Sequence, residues 1–433
     1  MSDILIAALR SAGVASSAEL QRRMGKSQPT LSRLLRELDA DIVRLGQGRG
    51  TRYALPELIW GLPSQQPLHW NDEGRWGTLT FLAGNRIHVS GPKIDVATQG
   101  ELPWFLDNFR LEGFLGRAWA KKLAFDHNPE KWSLAQILYA NCQFAYDPPG
   151  AISIGEHAGE SQNSVASIPV AKAAAYDRHA DDGASSLPAG SSAGGEQPKF
   201  LVVEDASGDP LTMRRLIVKF SPPRGTPFGE RWHDLLWAEH LALKVLAANG
   251  FASAETQVIQ SNRRTYLESV RFDRAGLHGK IHTVPLSAVH RAFVHGPQRN
   301  WAETCDTLSA QKRLPQADAT AARVLLEYGR LIGNSDMHFG NLALYAPDPA
   351  AGRFSLAPAY DMLPMRYRPD IHQGDADYSL IEPSRPTRGY QAEWDQGMRM
   401  AHEFWRQVAD QPAVSESMRK VAERNFDALN TRA

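Results

Sequence analysis

Three oxygen-bearing side chains, Asp336, Asn341 and Asp361, stand at the spacing that phosphoryl transfer uses. The first two lie in Gly333-Asn334-Ser335-Asp336-Met337-His338-Phe339-Gly340-Asn341, and Ala359-Tyr360-Asp361 ends twenty positions past Asn341. In such chemistry an acid orients a hydroxyl, and an amide oxygen further along the same loop holds a magnesium ion. A second carboxylate then bridges that metal to the nucleotide phosphates. Gly, Asn, Ser and Asp also make ordinary turns between a helix and a strand, so the flanking sequence decides between the two. Before the loop, Val324, Leu325, Tyr328, Leu331 and Ile332 recur at a helical period. After it, residues 342–345 read as a strand, and a second strand over 354–356 ends near Pro358. That hairpin returns Asp361 to the neighbourhood of Asn341.

The elements that must complete such a site lie upstream. Ser192-Ala193-Gly194-Gly195-Glu196-Gln197-Pro198-Lys199 precedes an apolar run over 200–203, and a second run over 216–220 contains Lys219. The pattern predicts a glycine turn feeding a β-hairpin. Glycine lets backbone approach phosphates without a Cβ clash, and a lysine from an adjacent strand can reach the phosphate oxygens. A lysine at a strand end is more often simply solvated. Here the helix predicted over 234–248 offers Glu239 as a partner that would hold Lys219 extended. Glycine loop, strand lysine, helix glutamate, Asp and Asn loop, then a final Asp is the order of a protein-kinase-like fold.

The amino-terminal stretch has a different character. A first helix over 4–9 is followed by Ser16-Ser17-Ala18-Glu19, an N-cap signal for a short helix to Met24. A third helix runs from Gln28-Pro29 to Leu38, and strands over 42–45 and 52–55 flank a basic glycine turn at 46–50. This is a winged helix-turn-helix outline. Its third helix would present Ser27, Gln28, Thr30, Arg33 and Arg36 to a major groove, with Arg49 and Arg52 on the wing near phosphates. Residues 1–55 carry nine basic side chains against five acidic ones, a local surplus that suits duplex DNA. A winged helix used for protein contact or dimerisation is the bland alternative, so a homodimer stays open.

Chain-level properties set bounds. The 433 residues exceed one typical domain, and 42% apolar content supports a core in each of two or three. Because 48 basic residues balance 48 acidic ones, whole-chain charge points to neither nucleic acid nor membrane. Two cysteines, Cys142 and Cys305, suggest a reducing compartment without a disulfide framework. No leader pattern and no long apolar stretch is present, which predicts a soluble cytoplasmic protein with no membrane partner.

Five ordered motifs carry a resemblance: 194–199, 216–220, Val270-Arg271-Phe272-Asp273-Arg274, 333–341 and 357–363. Over residues 68 to 420 the chain resembles the HipA family of serine/threonine kinases, the toxin kinases of bacterial toxin-antitoxin pairs, and especially members with their own amino-terminal helix-turn-helix. The resemblance implies an α+β, bilobal, protein-kinase-like fold, with a mixed β N-lobe and a mainly helical C-lobe behind a small winged helix. The expected divisions are a head over 1–56, a proline-marked linker over 57–67, an N-lobe over 68–270 and a catalytic C-lobe over 271–433. Within the N-lobe a stretch at about 156–193, poor in large apolar residues and crowded with Ala, Ser, Gly and Asp, reads as a mobile segment. The resemblance also implies ATP and Mg2+ as cofactors and a protein serine or threonine as substrate. Asp336 would be the catalytic base, with Asn341 and Asp361 binding magnesium. Ala193, Gly194, Gly195, Glu196, Gln197, Lys199 and Lys219 would surround the nucleotide phosphates. Val270, Arg271 and Phe272 would form a hinge for the adenine through backbone groups, and His338 and Tyr360 would lie beside the nucleotide. Ser192, next to Ser191, matches a serine whose autophosphorylation would pull the glycine loop out of the site.

The sequence departs from that pattern at Val270, where an acidic residue is expected, and at Glu196-Gln197-Pro198, where a carboxylate would repel phosphates unless it points outward or binds metal. Two other functions compete. Asp336-Met337-His338 with Gly333-Asn334 echoes a metallophosphoesterase, but residues beyond 341 lack that scheme's ordered ligands and Lys219 goes unexplained. A DNA-binding regulator whose kinase-like body senses nucleotide without turnover is the stronger rival.

Overall fold

The computed structural model describes residues 2–46, 48–71, 74–126, 128–143, 147–156, 166–168, 172–185, 197–204, 209, 211–369 and 378–430. The chain forms two compact units, Met1–Arg110 with Glu130–Ser164, and Leu111–Pro129 with Val165–Ala433.

The first unit begins with helices Ser2–Ala12, Ser17–Met24 and Gln28–Glu37. The Ser16 hydroxyl accepts the Glu19 N–H at 3.3 Å, and Gly25 ends the second helix in a left-handed conformation. Leu5, Leu9, Leu20, Leu31, Leu34 and Leu35 face one another in the head's core. A three-stranded sheet completes it, with Arg52–Ala54 between Val14–Ser16 and Val43–Leu45. The strand at Val14–Ser16 has no counterpart in the sequence pattern.

Residues 57–67 are more than the linker that their prolines suggest. Ile59 is fully buried and pairs with Leu62 across a turn at Trp60-Gly61, and Gln65 already opens the next strand. An apolar side chain in the middle of the stretch gives it a reason to fold back. An antiparallel sheet follows, in the order Ile94–Gln99, Arg86–Gly91, Arg75–Leu82, Gln65–Trp70 and Ile152–Ile154. Leu82 of this sheet packs with Leu45 and Ala54 of the head, so the first part of the expected N-lobe belongs to the same unit as the head.

The second unit is built on a sheet ordered Thr256–Gln260, Thr265–Val270, Arg214–Phe220, Lys199–Glu204 and Ala166–Ile168. The first four strands are antiparallel, and the last pairs in parallel. Side chains alternate between the two faces. Val202, Leu216, Val218, Phe220 and Tyr266 share one face and pack against Ala175, Tyr176 and Ala180. Those last three sit on helix Lys172–Ser185, inside the stretch whose composition predicts a mobile segment. The helix docks through small residues and one aromatic, which is why a shortage of large apolar residues did not reveal it.

Helix Pro227–Ala248 and the helices Trp301–Ala310, Gln316–Leu331, Gln391–Asp410 and Glu416–Asn430 supply most of the remaining core. The expected hairpin is present: Ala343–Tyr345 pairs with Ser355–Leu356, with Leu344 opposite Leu356. The molecule is thus α+β, with one mixed sheet, otherwise antiparallel sheets, and a helical carboxy-terminal half. No helix among the described residues is long and apolar enough to cross a membrane.

Candidate active site

Helix Gln316–Leu331 delivers the loop that carries Asp336. Its end is made by Gly333, whose positive φ of 76° suits glycine and whose missing Cβ leaves room for Ile381. Asn334 follows and is buried. The Asp336 N–H donates to Asn334 Oδ1 at 3.0 Å, and Asn341 Nδ2 donates to the Asp336 carbonyl at 2.8 Å. The second bond orients the Asn341 amide and leaves its Oδ1 as the unused acceptor. Trp301 Nε1 donates to the His338 carbonyl at 3.0 Å, while the Gly340 N–H donates to His338 Nδ1, which places the neutral ring's proton on Nε2.

Two hydrogen bonds fasten the Asp361 segment to this loop. Asn334 Nδ2 donates to the Asp361 carbonyl at 3.2 Å, and the Tyr360 hydroxyl donates to the Gly340 carbonyl at 2.7 Å. Below them, a Cβ at Gly329 would strike Met337 Sδ at 2.6 Å and Met362 Sδ at 3.3 Å, so a helix glycine makes room for both methionines. The Phe272 ring lies 5.7 Å from that of Tyr360, bringing the hinge to the same place.

Lys219 enters from strand Arg214–Phe220. Its ammonium contacts Glu239 Oε1 at 2.5 Å and also Asp361 Oδ1. The anticipated lysine and glutamate pair therefore exists, with the carboxylate from the other loop as a third member. Burial alone would lower the Lys219 ammonium, but the Asp361 and Glu239 charges outweigh it and hold its pKa above the ordinary value. Burial pushes Glu239 up despite Lys219, whereas the Asp361 carboxyl stays below its ordinary value because Lys219 and Lys199 overcome the desolvation. Lys199 is the cross-strand partner of Lys219. Like charges directly opposite destabilise a sheet, and here two carboxylates offset them.

Asn341 and Asp361 offer the hard oxygen donors that magnesium takes. Among the described residues no group of three or more His, Cys, Asp or Glu side chains could hold a metal ion by itself. Magnesium is commonly bound through one or two protein oxygens together with substrate phosphates and water.

At the hinge, the Val270 and Arg271 N–H groups are committed to the Glu255 and Arg215 carbonyls at 2.8 and 2.9 Å. The Phe272 amide makes no backbone hydrogen bond among the described residues. Gln197 Nε2 is buried without a partner among the described residues. Ser191, Ser192, Ala193, Gly194, Gly195 and Glu196 lie outside the described residues. Sequence reasoning gave no role of their own to Asn334, Leu201 and Ile217. The last two are half-buried apolar residues two positions from Lys199 and Lys219 on the same face, where they can roof a planar base. Period-two alternation in 199–203 and 215–219 carries that signal.

In the head, Ser27, Gln28, Arg33, Arg36 and Arg52 are exposed, and Thr30 is half-buried with its hydroxyl 3.1 Å from that of Ser27. The side chain of Arg49 lies outside the described ones.

The HipA-like C-terminal domain matches residues 191–430, and the YjjJ-like toxin middle domain matches residues 64–162. Toxin YjjJ of Escherichia coli (strain K12) is 35% identical over 427 residues, covering 95% of this chain and 94% of that protein. A solved complex of HipA, HipB and operator DNA from Shewanella oneidensis MR-1 contains a chain of similar fold, with a TM-score of 0.56 at 18% identity. The match covers 85% of this chain and 96% of that one.

Proposed function

The chain belongs to the HipA-like toxin family, and from that premise we propose that it is an ATP- and magnesium-dependent protein serine/threonine kinase that binds duplex DNA through its own winged helix. The observation that carries the reading is the meeting of Lys219, Glu239 and Asp361 beside a loop in which Asn341 is oriented by Asp336. Lys219 steadies the phosphates, held extended by Glu239. Asp336 orients the substrate hydroxyl and receives its proton as the oxygen bonds to the γ-phosphorus and the bond to the ADP leaving oxygen breaks. Magnesium, held by Asn341 and Asp361, would neutralise charge on the phosphates. Catalysis is then mainly positioning and electrostatic stabilisation.

Labelled γ-phosphate transfer from ATP to proteins of a cell lysate by the purified chain tests this. Nucleotide binding with no transfer to any protein, including the chain itself, would leave the nucleotide-sensing regulator instead.

The Shewanella structure pairs HipA with a separate HipB and DNA. In this chain the head supplies Gln28, Arg33 and Arg36 on the exposed face of helix Gln28–Glu37, with Ser27 at its N-cap. Duplex binding by the full chain should weaken with salt, and Arg52→Ala, on the wing near phosphates, should reduce the salt slope by about one. Absence of any salt-dependent affinity for duplex DNA would favour the protein-contact role.

A further inference from the structure

Asn334 is 6% exposed and sits between the base and the metal-side carboxylate. Its Oδ1 accepts the Asp336 N–H at 3.0 Å, which is a local turn of a kind that any Asn or Asp makes. Its Nδ2 does something no local turn requires. It donates at 3.2 Å to the carbonyl of Asp361, 27 positions away, with Met362 Sδ at 3.7 Å. Asp361 has a positive φ of 51°, a left-handed conformation that is uncommon outside glycine and that Asp tolerates better than most residues. The same residue extends its carboxylate to Lys219.

We propose that Asn334 is a positioning residue that couples the two loops, so that Asp336 and the Asp361 carboxylate keep a fixed relation. The proposal rests on the kinase reading of the site. Aspartate at position 334 separates the two roles chemically. It keeps an oxygen for the Asp336 N–H and loses the donor to the Asp361 carbonyl, replacing it with an acceptor that repels. Asp361 can then relax and move its carboxylate off Lys219.

The test uses the full chain with Asn334→Asp and Asn334→Ser. Calorimetry measures ATP affinity with and without Mg2+, and initial rates of phosphate transfer are read in parallel. In wild type Mg2+ should strengthen ATP binding. In Asn334→Asp that strengthening should fall about tenfold, the size expected for one lost buried bond, while Mg2+-free affinity stays within about twofold. A role confined to folding would lower the melting temperature and leave the Mg2+ dependence untouched.

Folded variants that keep the wild-type Mg2+ dependence and rate would overturn the coupling alone. A wild-type chain showing neither Mg2+-dependent ATP binding nor transfer would overturn the kinase reading and the coupling together. Hydrogen exchange on wild type covers the case in which the variants do not fold. Peptides spanning 333–341 and 357–363 should gain protection together when Mg2+ and ATP bind, and protection of one without the other would refute the coupling.

Discussion

Two lysines approach the second unit's five-stranded sheet from opposite faces, and each meets two carboxylates. Lys172, on helix Lys172–Ser185, contacts Glu204 Oε1 at 2.5 Å and Glu268 Oε2 at 3.0 Å. The remaining oxygens there are also used, because Tyr176 donates to Glu268 Oε1 at 2.5 Å and Arg214 donates to Glu204 Oε2 at 2.7 Å. Around Lys219 the accounting stops short. Among the described residues Glu239 Oε2 is buried with no partner, and the Asp361 side chain keeps 27% of its surface open to solvent. In both clusters burial opposes the lysine's charge and the carboxylates restore it, so the pKa is raised in each. Charge count and pKa direction therefore do not tell a staple from a site. Under the proposed kinase reading the solvent-open Asp361 carboxylate does, since it is what a phosphate-bound cation would take up.

The bluntest break of this comparison is at Asp336, which touches neither lysine. Asp336→Gln should cut phosphate transfer by about 10²- to 10⁴-fold while ATP still binds, as assayed with labelled γ-phosphate and calorimetry. Retention of the normal rate would remove the base and leave the open cluster without a reaction.

Next in size is the exchange of the two lysines' fates. Lys219→Met should lower transfer by about 10²-fold or more. Lys172→Met should lower stability by about 3 kcal/mol in urea denaturation and leave the transfer rate of the folded enzyme unchanged, because it strands the buried Glu268. If Lys172→Met is the variant that loses transfer, the two clusters have been assigned the wrong way round.

A smaller effect appears only as a slope against pH. Burial would raise Glu204, but Lys172 and Arg214 win and hold it below its ordinary 4.5. A carboxylate depressed in the folded state stabilises above 4.5, and that stability is lost as pH falls through the folded value. The stability gap between wild type and Glu204→Gln should therefore shrink on acidification. Glu239 is raised by burial, so its ionisation costs stability at neutral pH and its protonation relieves that cost. Glu239→Gln should shift the slope in the opposite direction. Parallel slopes for the two variants would contradict the distinction.

How much of this could be read in the sequence follows from how local each signal is. Asp336 and Asn341 share one loop, Asp361 ends the next hairpin, and Lys219 and Glu239 lie on strongly patterned elements, so spacing and periodicity find them. The link from Asn334 to Asp361 spans 27 positions, and that from Lys172 to Glu268 spans 96. No short pattern encodes such partners. Helix Lys172–Ser185 was hidden because alanines and one tyrosine make its contact, and Ile59 was hidden among prolines. The commitment of the Val270 and Arg271 amides is likewise a product of strand pairing that side-chain types do not announce.

The smallest expected effect tests the closed cluster most cleanly. Tyr176→Phe removes the hydroxyl from Glu268 Oε1 and nothing else, because the ring that packs 5.3 Å from Tyr266 and 5.5 Å from Phe200 remains. Burial and the neighbouring Glu268 push the phenol's pKa up, so the hydroxyl is a protonated donor at every working pH. A hydrogen bond to a charged group contributes about 1.5–3 kcal/mol, and Lys172 still holds the other oxygen, so a loss near the lower figure is expected in urea denaturation. In Lys172→Met the same substitution should have a different cost, since both partners serve one carboxylate and their energies are not additive. Loss of transfer by the folded Tyr176→Phe enzyme would mean that the covered face of the sheet feeds the cleft, and the division between staple and site would fail.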